Sequence, residues 1–149
     1  MSAIDVVLCN PVRTAIGTYA GSLKSTPATE LGATVIRETL KRSGLAVEKV
    51  ETLVMGQVIQ AGSKMNPARQ AGILAGLPVE VPALTVNRVC GSGAQGIVSA
   101  AQEVCAGFLK CAIAGGMENM DMAPYLLPQG RWGARMGDVQ LYDSMLMDG

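Results

Sequence analysis

Apolar and polar positions fall in blocks that switch between the period of a strand and the period of a helix. Ile4–Leu8 is a short run of branched apolar residues and predicts a buried strand. Asn10-Pro11 ends it, and a Gly- and Ser-rich stretch runs to about Thr26. Leu31, Val35, Ile36 and Leu40 then recur at helical spacing. They predict a helix over Thr29–Ser43, with Lys41 and Arg42 in its last turn and Gly44 as its C-cap. Val50–Ile59 predicts a second strand and Ala61–Asn66 a loop. Asn66 as a cap and Pro67 at the first helical position predict a helix over Pro67–Ala75. Beyond a Pro-containing connector, Ala83–Val89 predicts a third strand, Gly91–Gly107 a helix and Lys110–Gly115 a fourth strand. Strands alternating with helices in this way predict an α/β fold with a largely parallel sheet.

The helix expected at Gly91–Gly107 is unusual. It carries Gly91, Gly93, Gly96, Ala94, Ala100 and Ala101, and its single charge is Glu103. Each interior Gly costs about 1 kcal/mol relative to Ala, so this helix needs burial and close packing to exist. From about Asn119 the texture changes to Met, Pro, Gly and single aromatics without steady period. That reads as an irregular, loop-rich subdomain, with a short helix at Asp143–Met147. The organisation expected is a domain over residues 1–119 and the beginning of a loop domain over 120–149. The absence of a clear element at Asp148-Gly149 reads as a cut.

Composition narrows the function classes. Of 149 residues, 49% are apolar and 16% charged, which excludes a disordered chain. Twelve basic residues balance twelve acidic ones without any basic block, which argues against a nucleic-acid partner. The N-terminus shows neither a signal peptide nor a membrane span, so a cytoplasmic location is expected. Cys9, Cys90, Cys105 and Cys111 form no C-x-x-C pair, and there is no His, so no metal site is expected. Cys9, Cys105 and Cys111 read as small buried hydrophobes.

Cys90 reads differently. In NRVCGSGAQG it stands between a strand and a helix. A thiol there faces the positive end of the helix dipole and free N–H groups, which favour thiolate and can hold an oxyanion. Gly91 and Gly93 remove side chains around the sulfur and would let a thioester carbonyl approach, which makes them candidate substrate-binding residues. A nucleophilic Cys ordinarily needs a nearby base, most often His. With no His here, that base is another residue type or lies on other sequence. Gly91–Gly96 also fits G-x-G-x-x-G, with Glu118 near the end of the next strand. Asn87 and Arg88 interrupt the apolar strand that a dinucleotide site needs, and three further elements precede it.

NRVCGSGAQGIVSAAQEV resembles the active-site segment of the thiolase family, the acetyl-CoA acetyltransferases. PVRTAIGTYAGSL, ATELGATVI, MGQVIQAG, NPARQAGILAGLP, AGGMENMDMAPY and MGDVQLYDSMLMDG resemble further family segments in the same order, from about Val6 to Gly149. The nearest type is the short-chain, biosynthetic acetoacetyl-CoA thiolase. The resemblance implies the N-terminal half of an αβαβα layered fold with a buried active-site helix. It implies that Cys90 takes an acyl group from acyl-CoA, its own N–H helping to bind the oxyanion. A second acetyl-CoA then gives a 3-ketoacyl-CoA, or CoA cleaves it in reverse. CoA and acetyl-CoA are then substrates, and no tightly bound cofactor is implied. Asn66–Gln70 would lie near a dimer interface, which implies a homo-oligomer, dimer or tetramer. The family's second half supplies a His and a second Cys that these residues lack, so the chain alone is expected to be inactive and poorly soluble. A non-catalytic thiolase-like module that binds acyl-CoA or lipid, or serves in assembly, is the alternative. Glu118 and Asn119 fit either a support for the active-site loop or a structural cap. Arg131, Trp132 and Arg135 fit either CoA phosphates or a solvated surface. The methionines from Met117 onward fit loop packing better than metal binding.

Overall fold

A computed structural model describes residues 5–149. Helix α1 spans Ala28–Ser43, strand β1 Thr52–Gly56, helix α2 Pro67–Ala75 and strand β2 Ala83–Val86. Helix α3 spans Ser92–Cys105 and strand β3 Ala112–Gly116. The three strands make one parallel sheet in the order β2-β1-β3, with Leu53 opposite Ala83 and Ile113. The α/β class and the parallel sheet expected from the alternation are therefore present.

Strand alternation sends successive side chains to opposite faces. Leu53 and Met55 of β1 are fully buried and join Ile36 and Leu40 of α1 and Ala68 and Ala71 of α2 in one apolar core. The other face, at Val54 and Gly56, lies under α3, whose Ser92, Gly96 and Ala100 are buried at four-residue spacing. The layers are thus α1 and α2, then sheet, then α3. The chain leaves β1 for β2 in one direction and crosses back past β1 to β3 in the other. Right-handed crossovers in opposite directions place their helices on opposite faces, which is why α2 and α3 sandwich the sheet.

Local chemistry sets the boundaries. Gly44 adopts φ 66° and closes α1 with its N–H on the Leu40 carbonyl at 3.1 Å. Asn66 caps α2 from a left-handed conformation, φ 45°, and accepts from the Arg69 N–H at 3.2 Å. It also accepts from Thr85 Oγ1 at 2.8 Å and donates to the Ala83 carbonyl at 2.9 Å, tying the cap to β2. Arg69 donates to the Val79 and Val81 carbonyls at 2.7 Å each, and Gln70 to the carbonyls of Ser63 and Met65. The polar side chains of Asn66–Gln70 therefore hold the chain's own loops. Asn66→Ala is expected to lower stability by about 1–2 kcal/mol, since it removes the cap and leaves Ala in a left-handed conformation; urea unfolding reads this directly.

Three expectations change. Of the strand expected at Ile4–Leu8, Ile4 lies outside the described residues, and the remainder forms no strand. Val7 and Leu8 are exposed, and among the described residues no backbone pairs with them. A strand needs a neighbour to take its backbone hydrogen bonds, and this run lies off the sheet. The second and third strands are shorter than their apolar runs, because Gln57–Gln60 and Asn87–Cys90 turn away at the sheet's end. Finally, α3 is buried along one stripe only. Ala94, Val98 and Gln102 face outward, with Val98 46% exposed, because sheet covers one side of the helix and nothing in these residues covers the other.

Beyond β3 the chain is irregular, as its texture implied. Two-residue strands β4 (Tyr125–Leu126) and β5 (Tyr142–Asp143) pair antiparallel, and Asp143 caps the short helix α4 (Ser144–Asp148) by accepting from the Met145 N–H at 2.9 Å.

Candidate active site

In an open parallel sheet, the carboxyl ends of the strands are where ligands collect, at the point where strand order reverses. Here the turns that follow β1, β2 and β3 meet at that edge. They enclose a cavity of about 460 Å³ lined by Val58, Ile59, Cys90, Gly93, Met117 and Glu118, among others.

Cys90 is exposed in this cavity and stands one residue before the N-cap of α3. The residue before it, Val89, adopts φ 50°. A β-branched side chain in the left-handed region costs of order 1–3 kcal/mol, so the surroundings must impose it. Four hydrogen bonds do so. The Val89 N–H donates to Asn87 Oδ1 at 2.9 Å. The Val89 carbonyl accepts from the Ser92 N–H at 3.0 Å and from Ser92 Oγ at 2.6 Å. Ser92 Oγ in turn accepts from the Arg88 N–H at 2.9 Å. The Arg88 guanidinium reaches Gln95 Oε1 at 2.7 Å, joining the turn to the second turn of α3. Asn87 and Ser92 thus do work that the sequence reading did not assign. The polar break at Asn87-Arg88 inside an apolar strand was the available signal.

The glycines divide into two uses. Gly91 has open space around it: beyond its own chain neighbours, an added Cβ would meet only the Arg88 carbonyl, at 3.4 Å. Gly93 lines the cavity and lies against the backbone of β3, so closely that a Cβ on Gly116 would come to 2.8 Å from its Cα. The first turn of α3 leaves the Gly93 and Ala94 N–H groups without an acceptor among the described residues, at the end of the helix that borders Cys90.

Glu118 forms the opposite wall. Its carboxylate accepts from the Val58 N–H at 2.7 Å and the Ile59 N–H at 3.3 Å. Burial pushes its pKa above the ordinary 4.5, and the two N–H donors oppose that rise. Gln57 is buried beside it and donates to the Ile59 carbonyl at 2.8 Å and Ser63 Oγ at 3.1 Å, while its Oε1 has no donor among the described residues. Asn119, by contrast, is a structural tie. Its amide donates to the Leu23 and Thr26 carbonyls, and its Oδ1 accepts from the Asp121 N–H.

The other cysteines differ from expectation. Cys9 and Cys105 are exposed, on the unpaired N-terminal run and on the last turn of α3 respectively. Cys111 is half-buried, and burial followed by the nearby Glu51 carboxylate raises its pKa. Arg131, Trp132 and Met136 lie on the surface. Of the methionines beyond β3, Met117 joins the core, whereas Met120, Met122 and Met147 are largely open to solvent. Among the described residues, no three Cys, Asp or Glu side chains converge as a metal site, and no helix is long and apolar enough to cross a membrane.

Residues 6–149 match the family model described as the thiolase N-terminal domain. This chain belongs to the thiolase family. It is 52% identical over 145 residues to an acetyl-CoA acetyltransferase of Cupriavidus necator, an alignment that covers 97% of this chain and 37% of that protein. It is 50% identical over 146 residues to an acetyl-CoA acetyltransferase of Escherichia coli K12, again 97% of this chain and 37% of the relative. A protein named beta-ketothiolase BktB, also of Cupriavidus necator, is 52% identical over 143 residues, covering 95% and 36%. The chain therefore spans little more than a third of the length of these thiolases. The match runs through the Cys90 turn, the cavity walls and the irregular segment beyond β3.

Proposed function

We propose that this chain carries the nucleophile of a thiolase-type acyl-CoA acyltransferase, with Cys90 as the acyl carrier. The observation that supports it most is the placing of an exposed thiol on a strained, over-determined turn, at the helix end that borders a cavity on the carboxyl edge of the sheet. In the proposed reaction the Cys90 thiolate attacks the thioester carbonyl of acetyl-CoA. An S–C bond forms at Cys90 and the CoA thiolate leaves. The Cys90 N–H and the free N–H groups at the start of α3 would steady the oxyanion between these steps. A second acetyl-CoA, having lost a proton from its methyl carbon, attacks the acyl-cysteine. A C–C bond forms, acetoacetyl-CoA leaves and the Cys90 thiolate returns. In thiolysis both steps run backwards: the Cys90 thiolate attacks the 3-keto carbonyl of acetoacetyl-CoA, the C–C bond breaks as acetyl-CoA leaves and takes up a proton, and CoA thiolate then takes the acetyl group from Cys90. An exchange between thioesters is near balance, which suits sulfur.

Both proton transfers need a base that these residues do not contribute. There is no His, and both oxygens of Glu118 are already engaged by backbone donors. Under this reading the 149 residues do not turn over alone and require the complementary half found in longer relatives. Residues 1–119 form the N-terminal domain and 120–149 belong to a loop domain that covers CoA. The assembled protein is a cytoplasmic homo-oligomer, CoA is a substrate, and no cofactor is tightly bound. The lack of a base also supports a second reading, a thiolase-like module that binds acyl-CoA without chemistry. Intact denatured mass before and after brief exposure to acetyl-CoA separates the two. An acetyl-sized gain mapped to Cys90 supports the acyl carrier, and no gain in an assembly that contains the complementary half rejects it.

A further inference from the structure

We propose that Glu118 is a positioning residue for Cys90, acting through Val58 and Asn87. This rests on the reading of Cys90 as the reactive group and adds how its geometry is set. The path is continuous. The Glu118 carboxylate accepts from the Val58 N–H at 2.7 Å. The carbonyl of that same Val58 accepts from Asn87 Nδ2 at 3.3 Å. Asn87 Oδ1 accepts from the Val89 N–H at 2.9 Å, and Val89 is the residue held at φ 50° immediately before Cys90. Asn87 has one amide with two ends, so tension on Val58 and the orientation of Val89 are set by the same rigid plane.

A purely structural duty explains Glu118 poorly. Among the described residues the one ion pair is Arg42–Glu38, far along α1, and no cation lines the cavity that Glu118 faces. A half-buried carboxylate without a cation is costly, and a neutral Gln or an apolar side chain would ordinarily fill such a place at lower cost. What a carboxylate offers here is two acceptor oxygens for two successive N–H groups, Val58 and Ile59. That grip fixes the turn after β1, and Asn87 carries the fixed position across the cavity edge to the turn after β2. The two walls on either side of the sulfur are thereby held in register.

Backbone amide spectra of ¹⁵N-labelled protein test this without acyl-CoA. Glu118→Gln should move the amide signals of Val58 and Ile59 and also those of Val89 and Cys90. In an Asn87→Ala background the same change should still move Val58 and Ile59 but leave Val89 and Cys90 in place. A through-space effect of the lost charge, or a general loosening, would persist in that background and would overturn the relay, as would Val89 and Cys90 signals that never respond. Unchanged signals from Lys110 and Cys111, on the far edge of the sheet, report an intact fold. Should Glu118→Gln not fold, Glu118→Asp, which keeps the charge but shortens the reach, takes its place with the same expected pattern. In an assembly that turns over, Glu118→Gln should lower kcat by about tenfold with KM within about twofold; a rise in KM at unchanged kcat counts against positioning. An absence of acetylation in the parent protein would count against the acyl-carrier reading alone, because the amide pattern is read without substrate.

Discussion

Cys90→Ala is expected to abolish the acetyl-sized mass gain from acetyl-CoA and to lower turnover of the assembled enzyme by about three orders of magnitude or more. The size follows from what the sulfur is asked to do. A covalent carrier splits one transfer into two, and no other group on the cavity wall is free to take its place. Met117 and Met120 are thioethers, Glu118 has both oxygens bound to N–H groups, and the Ser92 hydroxyl is committed to the turn, donating to the Val89 carbonyl and accepting from the Arg88 N–H. The other cysteines sit on other elements, Cys9 before α1, Cys105 at the far end of α3 and Cys111 at the start of β3. The melting temperature should barely move, because Cys90 is exposed and its side chain holds no hydrogen bond in the turn; surface changes of this kind stay within about 0.5 kcal/mol. The turn is held by Asn87 and Ser92 instead. A variant that loses acylation yet melts like the parent is therefore the expected signature of a nucleophile. An acetyl gain that survives Cys90→Ala would assign the acyl group to another residue and remove the basis of the proposed function.

Much of this was legible in the sequence for identifiable reasons. Helix α2 could be placed to the residue, because an Asn cap, a Pro at the first position and a Gly beyond the last turn are local signals that tertiary contacts did not override. The position of Cys90 between a strand and a glycine-rich helix was equally local. What was not legible depends on long-range contact. The run before Asn10 has the composition of a strand, but composition does not supply an edge to pair with. The exposure of Cys9 and Cys105 depends on which faces are covered, and a lone cysteine carries no such information. Asn87 was visible only as a polar interruption. Its meaning required seeing Val58 and Val89 on either side of one amide. Glu118 is 60 residues from the peptide it grips, and no periodicity relates them.

The glycines of α3 join these levels. The sequence implies access to the sulfur at Gly91 and Gly93 and close packing for the helix as a whole, and the structure divides the glycines between these two uses. Gly91 is open, but Gly93 and Gly96 let a helix backbone settle on a sheet backbone: a Cβ on Gly96 would stand 2.8 Å from the Gly115 carbonyl oxygen and 3.1 Å from that of Val54. The helix then brings its first turn, and with it Ser92, down to the edge of the sheet where the cavity opens. Poor helix propensity is thus the cost of setting the N-terminus of α3 beside the carboxyl ends of the strands.

Gly56→Ala should accordingly be the most destabilising single-methyl change in the chain, by about 3 kcal/mol or more. Gly56 ends the central strand, and its added Cβ would run into the backbone of Ser92 and Gly93. No side chain can rotate out of the way, so either α3 lifts or β1 shifts against both of its neighbours. For a chain of this size the loss corresponds to a fall in melting temperature of roughly 6–12 °C. Gly91→Ala is the matched control, since its Cβ would meet a single oxygen at ordinary distance and its φ of −86° suits any residue; it should change the melting temperature by only about 1–2 °C. The two variants also separate stability from function. Lifting α3 moves Ser92, whose hydroxyl holds the Val89 carbonyl at 2.6 Å, so Gly56→Ala should disturb Cys90 in the fraction that still folds. Gly91→Ala adds a methyl at the residue that follows Cys90 and should slow acylation without loosening the fold. Equal stability of Gly56→Ala and the parent would mean that α3 is not seated on the sheet backbone, and the turn that presents Cys90 would then need another support.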